Sequence, residues 1–389
     1  MLLFLAAANA QAGWVYVIAS ALLGITIAGI IAPPFVLRRV SVSRELPPAV
    51  TVGDTVQVRL GITNTGLISK GPFWGKDSLL GDTPFVVDRV PAKRTSTIEY
   101  EGVANRRGVY RDASIRLETG APFGAATARR LVKAKTNLIV HPSWSPLSSL
   151  PVLEAASTPN EAFHERPKRG AGMEFFGLRE YRPGDSLRHV HWRSTARGGR
   201  ILVREFEEHP ASRLTVIIDA AQKVGAEPKT TFETAVSAAA SIVMYALDSG
   251  HPVQLSCAHP LGTRRLVEPG KVDALDWLAE QEAVGGPNIA DTTRGEMFEI
   301  TRRSTTVLIS PTTVEAARAI PEAVAIAQER SSRVLVVLIS ARDFAKDGRV
   351  LNAADESRLV EELAGSRAVA YLVTGDRSLV DCLKEPVYA

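Results

Sequence analysis

The chain has 389 residues, 45% of them apolar and 6% aromatic, with a formal charge of +4. That length can hold two domains with separate cores, and so small a charge excludes bulk nucleic-acid binding, which needs a dense basic face. Its two cysteines, Cys257 and Cys382, lie far apart, so a disulfide framework is not the scaffold and the usage suits a reducing compartment.

No charged side chain precedes Arg38. The run from Trp14 to Leu37 is 24 residues of apolar character. At ~1.5 Å per helical residue it crosses a ~30 Å hydrocarbon core. Trp14 and Tyr16 suit one interface and Pro33-Pro34 the other. Ala6-Ala7-Ala8-Asn9-Ala10 resembles a signal-peptide cleavage site, but a positive n-region is missing and the long apolar run comes after it. Residues 1–37 are therefore expected to be a retained membrane anchor. Arg38, Arg39 and Arg44 follow at once, and the positive-inside rule then places the remainder of the chain in the cytoplasm, against the inner (plasma) membrane.

Beyond the anchor the hydrophobic period changes to two. Thr55 to Leu60, Thr97 to Tyr100 and Ser114 to Leu117 alternate polar and apolar residues, as half-buried strands do. Turn chemistry at Gly53-Asp54, Asn64-Thr65-Gly66, Gly81-Asp82 and Arg107-Gly108 separates them. Residues 40–142 are expected to form a small antiparallel, immunoglobulin-like β-sandwich ending in a strand from Asn137 to His141. Residues 143–172, rich in Pro, Ser and Gly and then in charge, read as a linker.

The segment 173–206 is too charged and too aromatic for a plain connector. Between Arg166 and Arg204 stand ten Lys or Arg, nine of them Arg, interleaved with Phe175, Phe176, Tyr181 and Trp192. Arginine forks carboxylate or phosphate in a planar geometry that lysine lacks, so this richness points to ordered pairing. Gly177, Arg179, Tyr181, Gly184, Asp185 and Arg188, then His191-Trp192, then Ser194-Thr195-Ala196-Arg197, and finally Leu202 and Arg204-Glu205-Phe206, stand in fixed order. This order resembles the signature of domain-of-unknown-function family fifty-eight, bacterial proteins that are similar to von Willebrand factor A proteins and are associated with MoxR-type AAA+ ATPases. The resemblance implies a family and an architecture, since the family has no firmly assigned activity. Its members typically carry a pair of spans, whereas Met1 to Ala8 would cover only about 12 Å as helix, so the chain departs from that pattern or its start is incomplete.

From residue 207 to the end the pattern alternates strand and helix. Leu214 to Ile218 is apolar but for Thr215, as in a parallel strand buried on both faces. Further strands are expected at Val253 to Cys257, Thr306 to Ile309, Val334 to Ile339 and Ala368 to Val373, with helices at Phe232 to Leu247, Thr313 to Arg330 and Ala353 to Ala364. That succession is a doubly wound α/β domain, and the resemblance names its type as von Willebrand factor A-like. Such domains carry an Asp-x-Ser-x-Ser metal site, but here the loop reads Asp219-Ala220-Ala221-Gln222-Lys223. Only the carboxylate remains, and the Lys223 ammonium would compete with a cation for it. No metal and no cofactor is expected, and Asp219 is read as a strand-end residue that pairs with Lys223 or with an Arg of the signature.

Other candidate chemistry is weak. His189 and His191 would share one strand face but lack a third ligand, so a hydrogen-bonded or stacked role beside Trp192 fits better. His251, Cys257 and His259 form a loose trio whose thiol lies at a buried strand end. Ser194 and Ser310 lack a nucleophile elbow, and no Walker loop is present, so any ATPase chemistry belongs to a partner. The segment reads as a polar clasp that joins the domains, binds an anionic surface through Arg179, Arg182, Arg188, Arg193 and Arg197, or does both. The expected protein is a non-enzymatic integral membrane adaptor that presents client proteins to a MoxR-type ATPase. The competing readings are an extracytoplasmic cell-envelope binding module and a hydrolase centred on Asp185, His189 and His191.

Overall fold

The computed structural model describes residues 13–150, 174–182, 190–207, 213–300, 304–331, 333–345 and 348–387. The chain divides into two compact units: the residues up to Ser143 joined by Leu275–Gln281, and the remainder.

The first unit opens with helix α1 (Gly13–Leu37), long and apolar enough to cross a membrane. Leu22, Leu23, Ile27, Ile30 and Ile31 are exposed along it. Its buried positions Gly29, Pro33 and Leu37 recur every four residues and so form one stripe. The last carbonyls of a helix have no partner within it, and cations there favour the helix dipole. Two side chains of the β unit fill that role: Lys70 Nζ donates to the Phe35 carbonyl at 2.5 Å and Arg130 Nη1 to the Leu37 carbonyl at 2.5 Å. Burial, and then repulsion from Arg39 and Arg38, holds the Lys70 ammonium below the usual lysine range.

Ten strands follow: β1 (Val40–Glu45), β2 (Ala49–Thr51), β3 (Thr55–Asn64), β4 (Phe73–Asp77), β5 (Thr83–Val87), β6 (Thr95–Val103), β7 (Gly108–Arg111), β8 (Ser114–Thr119), β9 (Ala128–Lys133) and β10 (Asn137–His141). They make a three-stranded sheet β1-β3-β6, a four-stranded sheet β5-β4-β8-β9 and a small sheet β2-β10-β7. Most pairs are antiparallel, but β10 and β2 run parallel, a departure from the all-antiparallel expectation. Alternation places Val56, Val58, Leu60 and Ile62 of β3 inward, where they share one core with Phe73, Ile115, Leu117, Leu138 and the helix residue Leu37.

Arg44 is a correction. It was counted with Arg38 and Arg39 as a membrane-flanking charge, yet it occupies the inward parity of β1 beside Val40 and Val42. Its Nη2 pairs with Asp77 Oδ1 at 2.7 Å, its Nη1 donates to Thr136 Oγ1 at 2.6 Å, and both ionic side chains are fully buried. Asp77 also accepts the Leu79 N–H at 3.0 Å and the Tyr100 hydroxyl. Burial, and the bond to Asp77, push the Tyr100 phenol up.

The second unit contains β11 (Glu174–Glu180), α2 (Trp192–Gly198), β12 (Leu202–Glu207), β13 (Leu214–Ile218), β14 (Gly225–Ala226), β15 (Lys229–Thr230), α3 (Thr231–Asp248), β16 (Val253–His259) and β17 (Gly262–Val267). Then come α4 (Lys271–Glu280), α5 (Ile289–Glu296), β18 (Thr305–Pro311), α6 (Val314–Arg330), β19 (Arg333–Ile339), α7 (Ala353–Gly365), β20 (Val369–Val373) and α8 (Leu379–Lys384), with α4 from Leu275 onward grouped in the first unit. The main sheet has the order β17-β16-β13-β18-β19-β20. Its neighbours pair in parallel except β16 with β17. Every residue of β13 and β18 is buried, as expected of central strands covered on both faces. Thr230, Thr313 and Asn352 cap α3, α6 and α7 through their side-chain oxygens.

The stretch read as linker begins as packed chain: the Ser145 N–H donates to Ser241 Oγ at 3.0 Å, and Leu150 is buried. Residues 151–172 lie outside the described ones. Cys257 and Cys382 are buried and form no disulfide.

Candidate functional site

Two places in the second unit carry the residues singled out by sequence. In the first, β11 and β12 pair antiparallel, from Glu174 opposite Glu207 to Glu180 opposite Leu202, with a register shift between Phe175 and Gly177. Gly177 thus stands at a bulge, where one strand carries an extra residue. Arg179 lies opposite Val203, and Arg204 opposite Leu178. The strand β12 runs to Glu207, and among the described strands its partner is β11. Gly184, Asp185, Arg188 and His189 lie outside the described residues.

The intervening chain is fastened to the start of β12. Val190 forms a bridge with Val203, the His191 N–H donates to the Leu202 carbonyl at 2.8 Å, and the Tyr181 N–H donates to the Ile201 carbonyl at 2.9 Å. His191 Nδ1 accepts the Ser194 N–H at 3.3 Å, so this imidazole caps α2. Gly199, at φ +65°, ends the helix in the left-handed region that glycine enters without penalty. Thr195 Oγ1 then accepts the Leu202 N–H at 3.0 Å. Glu180 and Arg200 form an exposed ion pair across the hairpin mouth.

These ties hold a seven-residue helix rigidly while leaving its outer face open. Trp192 is 65% exposed, and Arg193 and Arg197 are exposed as well. The two arginines stand at i and i+4, one above the other, and Trp192 lies about 100° around from Arg193. An exposed indole and two exposed guanidinium groups on one short helix are the residue types enriched at protein-binding hot spots.

The second place is the carboxyl edge of the main sheet. The strand order reverses between β13 and β18, and ligands of open α/β sheets bind in the crevice outside such a switch point. Asp219 and Ser310 stand on the two sides of it. Ser310 Oγ donates to Asp219 Oδ2 at 2.7 Å, the Ala221 N–H donates to Oδ1 at 3.0 Å, and the Asp219 N–H donates to the Ile309 carbonyl at 2.9 Å. The predicted Asp219–Lys223 pair is corrected, because Lys223 Nζ pairs with Glu227 at 2.9 Å instead. A loop lysine gains more from an accessible carboxylate than from one buried behind the strand end. Burial is the largest influence on the Asp219 carboxyl and pushes it above the usual aspartate range, with the bonds from Ser310 and Ala221 opposing.

A second buried carboxylate continues this seam. Thr312 Oγ1 donates to Glu356 Oε1 at 2.7 Å, the Ala341 N–H donates to Thr312 Oγ1 at 2.9 Å, and Arg342 Nε meets Glu356 Oε2 at 3.0 Å. Beside it opens a cavity of about 570 Å³ lined by Gln222, Lys223, Glu315, Arg318 and Arg349 among others. Sequence reasoning missed Ser310 as the partner of Asp219 and missed Thr312 and Glu356 altogether. The only local signal was a cluster of hydroxyls after an apolar run.

The raised Asp219 carboxyl has a stability consequence. The folded state holds its proton more tightly than the unfolded state, so its contribution is fully present below the unfolded aspartate range and is lost as pH rises through the folded value. Asp219→Asn, whose amide keeps a partner for both Ser310 and Ala221, is expected to raise the urea midpoint at pH 7. The gain should shrink as the pH falls toward 4, and a gain independent of pH would contradict the assignment.

Residues 177–345 match the family model described as Protein of unknown function DUF58, a span running from β11 past β19. The chain is also similar to the Uncharacterized protein YeaD of Bacillus subtilis (strain 168), 26% identical over 161 residues that make up 41% of this chain and 38% of that protein. The match therefore spans less than half of that relative. Among solved structures, a CARDB domain from Pyrococcus furiosus in complex with di-metal ions aligns with 26% of this chain and 93% of its own at 14% identity and a TM-score of 0.18. The GH20 exo-β-N-acetylglucosaminidase of Vibrio harveyi aligns with 90% of this chain and 68% of its own at 8% identity and a TM-score of 0.22. Likenesses of that size say nothing of this chain's chemistry.

Proposed function

We propose that this chain is a membrane-anchored adaptor without chemistry of its own, whose exposed helix α2 docks a MoxR-type AAA+ ATPase and brings client proteins to it. The observation that carries the reading is the α2 face. Trp192, Arg193 and Arg197 stand exposed on a short helix that backbone bonds pin at both ends, a preorganised anchor of the kind partners bind. We read the α/β unit as von Willebrand factor A-like, and its strand order with one antiparallel edge supports that reading. A non-enzymatic role accords with the burial of Asp219 and Ser310, which leaves their oxygens closed to a substrate unless the strand ends move apart. We place the soluble units on the cytoplasmic side. Arg38, Arg39 and Arg130 gather at the helix exit and support this side in place of the buried Arg44.

The test is affinity purification of the full chain from detergent-solubilised membranes, with bound proteins identified by mass spectrometry. The wild type should recover an AAA+ ATPase, and Trp192→Ala and Arg197→Glu should lose most of it while melting at the wild-type temperature. Recovery of the ATPase by both folded variants would remove α2 as the docking face. Failure of the wild type to recover one would remove the adaptor reading.

A further inference from the structure

The loop between β8 and β9, residues 120–127, reads Gly-Ala-Pro-Phe-Gly-Ala-Ala-Thr and carries no charge. It lies against the apolar helix: a Cβ placed on Gly29 would stand 2.8 Å from the Ala125 Cβ and 3.5 Å from the Phe123 Cβ. Glycine at 29 is thus what lets the loop approach so closely, as small residues do at helix contacts in lipid. Arg38 and Arg39, the first charges of the chain, mark the helix exit, and Gly29 lies eight residues, or ~12 Å, back along the span. Phe123 is nevertheless 55% exposed.

A second loop stands at the same end of the β unit. The Thr65 N–H donates to the Arg39 carbonyl at 3.0 Å, and Lys70 reaches the Phe35 carbonyl, so residues 65–70 ring the helix exit. Between them Leu67 is 75% exposed and Ile68 69% exposed. Arg89 donates to Ser69 Oγ at 3.1 Å, adding a cation to those at 38, 39 and 130. Apolar loop tips, a cationic collar and an exposed apolar helix thus share one end of the unit. An aqueous surface would leave all of the apolar part in water.

We propose that the 120–127 loop and the Leu67-Ile68 tip insert into the bilayer that α1 crosses, seating the β unit on the membrane with its arginine collar against anionic headgroups. Lipid is the occupant that the surface fits. The apolar patch is continuous with the spanning helix, and the charges sit where headgroups of opposite sign would lie. The inference rests on reading α1 as a membrane anchor, so its test includes a probe of that reading.

Single cysteines at Phe123→Cys, Ile68→Cys, Leu23→Cys and Gln57→Cys are labelled with an environment-sensitive nitrobenzoxadiazole dye in the full chain. The native chain serves as the blank, because Cys257 and Cys382 are buried. After reconstitution into vesicles containing anionic lipid, quenching by lipids bearing a nitroxide on the acyl chain is read. Leu23 is the reporter of the span. Gln57, seven residues along β3 from the helix-exit end or about 23 Å, is the distant control. The expected result is quenching at positions 123 and 68 comparable to that at 23, with position 57 unaffected. Strong quenching at 23 with positions 123 and 68 matching 57 would overturn the seating while leaving the anchor intact. A blue-shifted but unquenched probe at 123 would overturn it in favour of a protein partner. Absence of quenching at 23 would overturn the anchor and the seating with it.

Discussion

Asp77→Ala is expected to destabilise the β unit by about 3–5 kcal/mol, the usual cost of removing one partner from a buried ion pair. The expectation is at the upper end because Asp77 serves three donors. Arg44 Nη2 lies at 2.7 Å, the Leu79 N–H at 3.0 Å, and the Tyr100 hydroxyl donates to its other oxygen. Deletion leaves a guanidinium with no exposed side-chain surface, whose Nε already has no hydrogen-bond partner. Small domains are stable by only about 5–15 kcal/mol, so this one change consumes much of the margin. The urea midpoint, read by hydrogen exchange of peptides from residues 40–142 in the full chain, measures it. A loss below about 0.5 kcal/mol would mean that Arg44 finds water in the folded state. Replacing both partners, Arg44→Met with Asp77→Leu, should recover most of the loss, because an apolar pair carries no buried charge.

Glu296→Ala is expected to cost the α/β unit about 2–3 kcal/mol, less than the first change although Glu296 is just as buried. Its carboxylate accepts from Arg265 Nη2 at 3.0 Å and Nε at 3.2 Å, and from Gln254 Nε2 at 2.8 Å. The difference lies in what remains. The Arg265 side chain is one-third exposed and already holds Glu299 at 3.1 Å, so it can return to solvent. Gln254 cannot: it is fully buried, and its Oε1 already lacks a partner. The Glu296 bond is the leading influence that raises the Arg265 guanidinium further above its ordinary range. Glu296→Gln, which keeps an acceptor for Gln254, should lose less than the alanine variant. Equal losses would mean that charge rather than hydrogen bonding sets the cost.

The elements that could be read in the sequence are those whose burial is periodic or complete. Leu214 to Ile218 was recognisable as a strand because both of its faces are covered, so Thr215 is the one polar residue in its apolar run. The run after Gly13 was recognisable because nothing in it is charged. β17 escaped notice because an antiparallel edge strand reading Gly-Thr-Arg-Arg-Leu-Val exposes its charges and offers no apolar run. β11 was hidden by its neighbours, since Arg and aromatic residues suggested a binding segment before they suggested a strand.

Arg44 is more instructive. Val40, Val42 and Arg44 share a parity that already placed the arginine inside, but position beside the membrane run overrode that reading. Its partner Asp77 lies 33 residues away and carries no local mark. Ser310 is 91 residues from Asp219, and only strand order brings them together across the switch point. The membrane-facing loops were overlooked for a related reason: Phe123, Leu67 and Ile68 are scattered in sequence and become one surface only when β3 and β8 end beside the same helix.

The proposed docking of an ATPase rests on the α2 face. The most direct measurement is a titration of the purified full chain, in lipid nanodiscs, with a purified MoxR-type AAA+ ATPase, for the wild type and for Trp192→Ala. A central aromatic anchor is worth about 2 kcal/mol or more, so the variant is expected to bind about 30-fold more weakly. Binding of the two proteins within twofold of each other, with both fully folded, would contradict the account.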